Sequence, residues 1–317
     1  MRAYLVRRLG QFVPVLLGIA LVTFAIVRLA PGDPAALMVD VQLLSQDELR
    51  RFRGELGLEA PWPIQFARIV GELATGQLRS FRTGQPVLDV LRERVPVTAT
   101  LILGSIALAV LAGIPLGVLS ATRPYGWLDN WLSVAALGGV SVPGFWFGLV
   151  LMYVFAGVLR VLPATGIGPT TKLSYTVADM APYFVLPTLV LTLAIVPPIM
   201  RYVRSSMMDA LGQDYVRTAR GKGLSELAVL YRHALRNALL PVLTVIGLLL
   251  PILVGATAVI ESVFAMPGLG RLVVEAAMNR DYPTILTLNF LTAAVVLLSN
   301  LAVDLLYVVL DPRIRLE

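Results

Sequence analysis

Six runs of mostly apolar residues, at 9–29, 97–119, 131–159, 183–200, 239–263 and 285–310, leave this chain little choice of fold. A helix needs about 20 apolar residues to cross about 30 Å of hydrocarbon, and each run is close to or beyond that length. Soluble chains carry about a quarter of their residues as charges; this one carries 15%, with 57% hydrophobic residues and a mean hydropathy of +0.79. The fold class is therefore all-α and polytopic, with six transmembrane helices.

The first run follows Arg2, Arg7 and Arg8 and is 21 residues long. A secretory signal has a shorter apolar core and a small-residue cleavage site, so residues 1–30 are read as a retained first helix. Arg28 lies near its far end, where a long side chain can snorkel to the headgroups. Residues 31–96 form a mixed-charge insert without a spanning run. Ser45-Gln46-Asp47-Glu48 reads as a capping box, opening a helix with Leu49, Phe52 and Leu56 on one face and a stop at Gly57. Pro61-Trp62-Pro63 starts a second piece with Ile64, Ala67, Val70 and Leu73, followed by a turn at 71–76. A third piece, 86–94, carries Val87, Leu88, Val90 and Leu91. This insert is a small helical cap outside the membrane, suited to packing over the bundle, to meeting a soluble partner or to controlling pore access. Residues 97–310 form a five-helix core that contains a polar segment at 201–240, and 311–317 form a short tail.

Gly113 and Gly117, like Gly144 and Gly148, are small residues four apart, a spacing that lets helices approach closely. Pro115 predicts a bend, Ser141-Val142-Pro143-Gly144 interrupts the third span, and Val196-Pro197-Pro198 predicts a kink ending the fourth. Kinked, glycine-lined helices can line a pathway or form a packing seam. Pro143, Gly144, Pro198, Gly255 and Glu261 are the candidate pathway and gating positions.

Six spans place both termini on one side, and the short loops say which. The N-terminus, the 120–130 loop, residues 201–240 and the C-terminus hold thirteen basic residues; the two short loops opposite hold two each. The insert's eight basic residues are balanced by nine acids. Both termini and the polar segment are expected in the cytoplasm, and the insert outside. The net charge of +6 is explained by this loop clustering, so no nucleic-acid partner is implied.

Several chemistries are excluded. Without cysteine there are no disulfides and no thiolate metal sites. The single histidine, His233, sits beside Arg232 and Arg236 on the polar segment and reads as a surface residue. Gly221-Lys222 is followed by Gly223, lacks the upstream glycine of a phosphate-binding loop and does not follow a strand. The chain is thus not expected to be an enzyme; any ATP and Mg would be bound by other subunits. Intramembrane ionisable residues are functional candidates, and here they are few: Asp304 near the cytoplasmic end of its helix, and Glu261 at the outer end of the fifth span. An ion-driven carrier would be expected to show more midplane charge.

The polar segment 201–241 holds seven of the 26 basic residues and three acids. It reads as two short helices. The first, 214–220, places Tyr215 and Ala219 on one face continuing back to Leu211, with Arg217 and Arg220 elsewhere. Gly221 and Gly223 can take the left-handed conformation that ends a helix. Ser225 then caps a second helix with Glu226 in its first turn and an apolar stripe of Leu227, Leu230, Tyr231, Ala234 and Ala238. Held at both ends by spans, such a surface helix can pass on motion from a cytoplasmic partner.

The segment resembles the coupling loop of permease subunits of binding-protein-dependent ABC importers, whose pattern is Glu-Ala-Ala, three residues, Gly, then Leu-Pro. The matching positions are Arg217-Thr218-Ala219, Gly223 and Leu240-Pro241, with departures at Arg217 and Thr218. Asp214-Tyr215-Val216-Arg217-Thr218-Ala219-Arg220, Lys222-Gly223-Leu224 and His233 through Pro241 are similar to the dipeptide/oligopeptide/nickel branch. So are Pro31-Gly32-Asp33-Pro34, Arg82-Thr83-Gly84-Gln85-Pro86-Val87, Glu261-Ser262-Val263-Phe264, Pro267-Gly268-Leu269-Gly270, Arg280-Asp281-Tyr282-Pro283 and Asp311-Pro312-Arg313. The resemblance implies a type I importer permease fold in a bacterial plasma membrane, forming half of a translocation pathway for peptides. Nickel complexes, glutathione or another small solute are the alternatives within the same machinery; a secondary transporter or a membrane scaffold are the alternatives outside it. Implied partners are a second, similar permease in a heterodimer, two ATPase subunits, an extracytoplasmic substrate-binding protein and the lipid bilayer. The implied ATPase-coupling residues are Asp214, Tyr215, Arg217, Ala219, Arg220, Lys222, Gly223 and Glu226.

Overall fold

A computed structural model describes residues 2–30, 35, 46–55, 57–169, 171 and 174–310. Among them there is no strand, only one isolated bridge between Arg79 and Pro86. Twelve helical pieces follow in order: α1 Arg2–Leu29, α2 Gln46–Glu55, α3 Trp62–Thr75, α4 Val87–Thr122, α5 Trp127–Ser141, α6 Gly144–Leu151, α7 Val177–Leu211, α8 Asp214–Gly221, α9 Glu226–Ala228, α10 Leu235–Val263, α11 Leu269–Met278 and α12 Tyr282–Leu310. Two π-helical turns, Met152–Val158 and Val229–Ala234, extend α6 and join α9 to α10. Among the described residues five helices are long and apolar enough to cross a membrane, and α5 with α6 makes a sixth span if that pair, bent by 96°, crosses as one.

The described chain divides into two compact units. The first takes the described residues of 2–98 and 267–298. Gly57 (φ +70°) closes α2, with the Leu58 amide donating to the Arg53 carbonyl at 2.9 Å. The expected capping residue Ser45 and the face residue Leu56 lie outside the described residues. Residues 71–75 continue α3 instead of turning, and only Gly76 (φ +71°) ends it. The inward face of α3 is shifted from the expected one. Ile64 and Ala67 are exposed, whereas Gln65 is buried and the Phe66 ring packs tilted against Phe24 of α1, with centroids 5.6 Å apart. Gln65 earns burial by full hydrogen bonding, donating to the Leu58 and Ala60 carbonyls (2.8 and 2.6 Å) and accepting from Arg28 (2.8 Å). The apolar centre of this unit is Val87, Leu91, Leu272 and Leu288. A cavity of about 800 Å³ is lined by α1, α3, the 76–86 turn and the start of α12.

The expected third insert piece and the second span are one 36-residue helix, α4. Pro96 does not break it: the helix carries on through the buried Val97 and Thr98, and a membrane helix tolerates the lost donor.

The second unit takes the described residues of 99–266 and 299–310. Its centre is α7, which packs against α5, α6 and α10. Thr176 and Asp179 open α7 with a capping box. The kink expected to end the fourth span does not end it: α7 runs 35 residues through Pro182, Pro187, Pro197 and Pro198. In a membrane protein neighbouring helices make such interior prolines tolerable, and α5 passes close by: a Cβ on Gly139 would lie 3.9 Å from the Leu193 carbonyl oxygen and 4.0 Å from Pro197, ordinary packing contact. Gly113 and Gly117 act as expected. A Cβ on Gly117 would lie 2.6 Å from Val203 and 2.7 Å from the Met200 carbonyl oxygen, so α4 and α7 are in backbone-to-side-chain contact. Across the same seam Ser105 donates to the Thr188 carbonyl (3.3 Å) and Thr192 to the Ser105 carbonyl (3.4 Å). Gly247 of α10 likewise leaves room for Val303 of α12.

Candidate functional site

Eleven residues of the polar segment belong to α7, which ends only at Leu211. The chain then turns at Gln213, whose extended backbone (φ −80°, ψ 152°) precedes α8. Asp214 stands in the first turn, where negative charge favours the helix dipole, and Thr218 Oγ1 donates to its carbonyl at 2.9 Å. The stop is a Schellman motif. The Gly223 amide donates to the Arg220 carbonyl (2.9 Å), the Leu224 amide to the Ala219 carbonyl (3.4 Å), and Gly223 has φ +74°. Gly221 is helical and Lys222 is the last residue before the reversal, so one glycine, not two, does this work.

Eight residues of helix stay fixed here because one face is buried. Val216 and Ala219 are 0% and 4% exposed, and α8 packs against the π turn Val229–Ala234. The expected face of Leu211, Tyr215 and Ala219 is therefore corrected by one position: Val216 replaces Tyr215, which is 39% exposed. The second helix begins as expected, with Ser225 Oγ accepting from the Ala228 amide at 3.4 Å. Its stripe agrees at Ala234 and Ala238 and differs elsewhere. A π turn brings residues five apart onto one face, so Val229 and Ala234 are buried together, followed by Leu235 and Ala238. Leu227 and Tyr231, expected inside, are 70% and 51% exposed.

The outward surface is thus mixed. Tyr215, Leu224, Leu227 and Tyr231 supply exposed apolar and aromatic area. Asp214 and Arg217 pair at 3.5 Å, and Arg220 makes two bonds to Glu226 (3.0 and 3.3 Å) that tie α8 to α9 across Gly223. A Cβ on Gly223 would meet nothing within 4 Å. Surface aromatics and arginines around a firm small helix are what a protein partner's pocket can grip.

The five pathway candidates are dispersed along unit two. Pro143 precedes α6 and Gly144 starts it, at the bend from α5. Gly144 and Gly148 look toward Val190 of α7 and toward Ile260 and Phe264; a Cβ on Gly148 would touch the Phe264 ring at 3.1 Å. Pro198 is half-buried within α7, Gly255 is exposed on α10 with nothing within 4 Å of a Cβ, and Glu261 is fully buried near the end of α10.

One buried polar cluster was not anticipated. Asp129 in the first turn of α5 is 2% exposed. Its carboxylate takes two bonds from Arg204 of α7, Nε to Oδ1 and Nη2 to Oδ2, both 2.6 Å. It also accepts from Ser120 Oγ of α4 and from the Tyr125 amide at 2.8 Å. Tyr125 adopts φ +61°, unusual for a residue with a side chain, and the guanidinium lies 5.6 Å from its ring centroid. Position 129 follows a short loop and position 204 sits among seven cations, so neither stands out in the sequence. A second such cluster lies in unit one, where Asp281 accepts from Ser80 Oγ, the Phe81 amide (3.0 Å) and Thr284 Oγ1 (2.8 Å).

Residues 113–316 match the family model described as the inner membrane component of binding-protein-dependent transport systems, and residues 1–102 match that of the N-terminal part of such membrane components. The oligopeptide transport system permease protein AppB of Bacillus subtilis is 41% identical over 99% of this chain and 100% of its own length. A probable peptide ABC transporter permease of Sinorhizobium fredii is 40% identical over 99% of this chain and 100% of its own. A putative peptide transport system permease of Brucella abortus is 40% identical over the whole of both. Among solved structures, the inward-facing MetNI methionine ABC transporter has a chain with TM-score 0.56 and 19% identity, covering 72% of this chain and 99% of that one. At that identity the likeness concerns the fold, which is that of a type I importer permease.

Proposed function

The chain belongs to the family of inner-membrane components of binding-protein-dependent transport systems, and from that premise we propose that it forms half of the pathway through which an ATP-driven importer takes up peptides. Members of this family are membrane permeases, not enzymes, and work with ATPase and substrate-binding subunits. The peptide substrate is carried over from relatives that align with this chain from end to end at about 40% identity.

The observation that carries the mechanism is α8. It is a two-turn helix between two spans, buried through Val216 and Ala219, stopped by Gly223, and open to solvent on its other side. In this reading α8 sits in a groove of an ATPase subunit in the cytoplasm, with Asp214, Tyr215, Arg217, Lys222 and Glu226 at the contact. Arg220 braces α8 to α9 through Glu226. Both termini lie in the cytoplasm and the 31–96 insert outside, facing the binding protein. A second, different permease completes the pathway, and ATP with Mg is held by the ATPases. ATP-driven closure moves α8 and, through α7 and α10, rocks the spans between inward- and outward-facing states.

Uptake of labelled di- to pentapeptides into proteoliposomes holding this chain, its partner permease, the ATPases and the binding protein tests the reading. ATP-dependent accumulation is expected. Accumulation of nickel complexes or glutathione in place of peptides would keep the machinery and overturn the substrate. Uptake that survives without the ATPases would overturn the machinery.

A further inference from the structure

We propose that Arg204 and Asp129 are positioning residues for transport: they bolt the α4–α5 corner to α7, so that movement of α8 reaches α4 and α5 instead of being lost in side-chain slack. The inference rests on the reading of α8 as the ATPase contact. Arg204 stands only ten residues before Asp214, on the same unbroken helix whose end leads into α8. Among the described residues it is the one arginine of the 201–241 segment that pairs with a buried acid: its side chain is 22% exposed and that of Asp129 only 2%. A two-point guanidinium–carboxylate contact fixes direction as well as distance, which a single-point lysine contact cannot.

Two further contacts, with Asp129's own place on α5, make the corner a unit. Ser120 brings in the last turn of α4, the Tyr125 amide brings in the loop, and Asp129 itself belongs to α5. The loop accepts a left-handed Tyr125 to aim that amide at the carboxylate. Just along the helix, Gly117 of α4 packs into Val203 and the Met200 carbonyl. The ion pair therefore caps a seam that is already in close contact, and together they leave α4 no freedom to slide along α7. Packing alone would resist separation; the fork resists rotation and sliding, the movements that rocking would otherwise waste.

The test uses the assembled transporter in nanodiscs or proteoliposomes. Arg204→Lys, Asp129→Asn and the Gly223→Val variant are compared for assembly, ATP turnover and peptide taken up per ATP. Coupling between sites is usually worth a factor between about 5 and 150, so Arg204→Lys and Asp129→Asn are expected to assemble, to hydrolyse ATP, and to lose about tenfold in uptake per ATP. Because the chain has no cysteine, paired spin labels at Leu119→Cys of α4 and Tyr202→Cys of α7, both exposed, give a second readout. With Arg204 present the label distance is expected to be narrow and the same with and without trapped ATP; with Arg204→Lys it broadens or shifts on trapping. Unchanged uptake per ATP in assembled variants, or a label distance indifferent to Arg204→Lys, overturns the proposal. A parallel loss of assembly, hydrolysis and uptake with the ratio preserved also overturns it, since that is what a purely structural pair would show. If Gly223→Val leaves coupling intact, it is the reading of α8 that fails.

Discussion

Arg204 and Arg217 lie thirteen positions apart in one basic segment, yet the molecule uses them in opposite ways. Arg204 grips a carboxylate that is 2% exposed with two bonds of 2.6 Å, and two other donors complete that carboxylate's shell. Arg217 reaches Asp214 at 3.5 Å with both side chains at least three-quarters exposed. A buried pair costs desolvation to form but is expensive to half-remove; a surface pair is screened and contributes little. The charge of the segment is therefore not one property. One part builds the transmembrane unit, and the other is presented to whatever meets α8.

The sharpest way to break this comparison is to truncate the buried side. Asp129→Ala leaves the Arg204 guanidinium without its carboxylate; loss of one partner of a fully buried pair costs about 3–5 kcal/mol, and the 22% exposure of Arg204 puts this variant at the low end of that range. A clear drop in thermal midpoint and in membrane abundance is expected, measured by fluorescence-detected chromatography after heating. Gly117→Ala comes next. Its new methyl would meet a backbone oxygen at 2.7 Å, which cannot rotate away, and overpacking of this kind costs about 1–3 kcal/mol. The same heating assay should place it below Asp129→Ala in effect.

On the exposed side the prediction turns from stability to coupling. Gly223 has φ +74° and open space around it. A β-branched residue there costs about 1–2 kcal/mol for the left-handed conformation, whereas asparagine visits that region readily. If only the backbone matters, Gly223→Asn should keep uptake per ATP near wild type while Gly223→Val loses it; equal loss in both would mean that bulk is sensed by a docked partner. Smallest of all, Arg217→Ala should leave the thermal midpoint unchanged. A destabilisation as large as that of Gly117→Ala would contradict the division drawn between the two arginines.

Much of this is legible in the sequence. The spans follow from run length, and α8, its glycine stop and the Ser225 cap follow from local rules of dipole, left-handed glycine and N-cap chemistry, which depend only on near neighbours. What escaped is long-range or depends on an altered helical period. The π turn Val229–Ala234 changes the helical period, so a 3.6-residue stripe finds Ala234 and Ala238 but puts Leu227 and Tyr231 inside, where Val229 and Leu235 are buried instead. Likewise α8 turns Val216, not Tyr215, inward, because the surface it packs against is that π turn. Prolines 197 and 198 read as a stop, but the helices around α7 sustain it past them to Leu211. Asp129 and Arg204 are 75 residues apart; no local pattern joins them, and only the packing of α4, α5 and α7 selects this arginine from its neighbours.

The central claim is that the exposed face of α8 is covered by an ATPase subunit in the working transporter. With no native cysteine in the chain, Arg217→Cys places a single reactive thiol on that face, and its rate of labelling by a water-soluble maleimide can be compared with and without the ATPases. The account predicts strong protection on assembly, together with blocked uptake when the thiol is labelled beforehand. Equal labelling rates in the two states, with uptake undisturbed by the label, would contradict it.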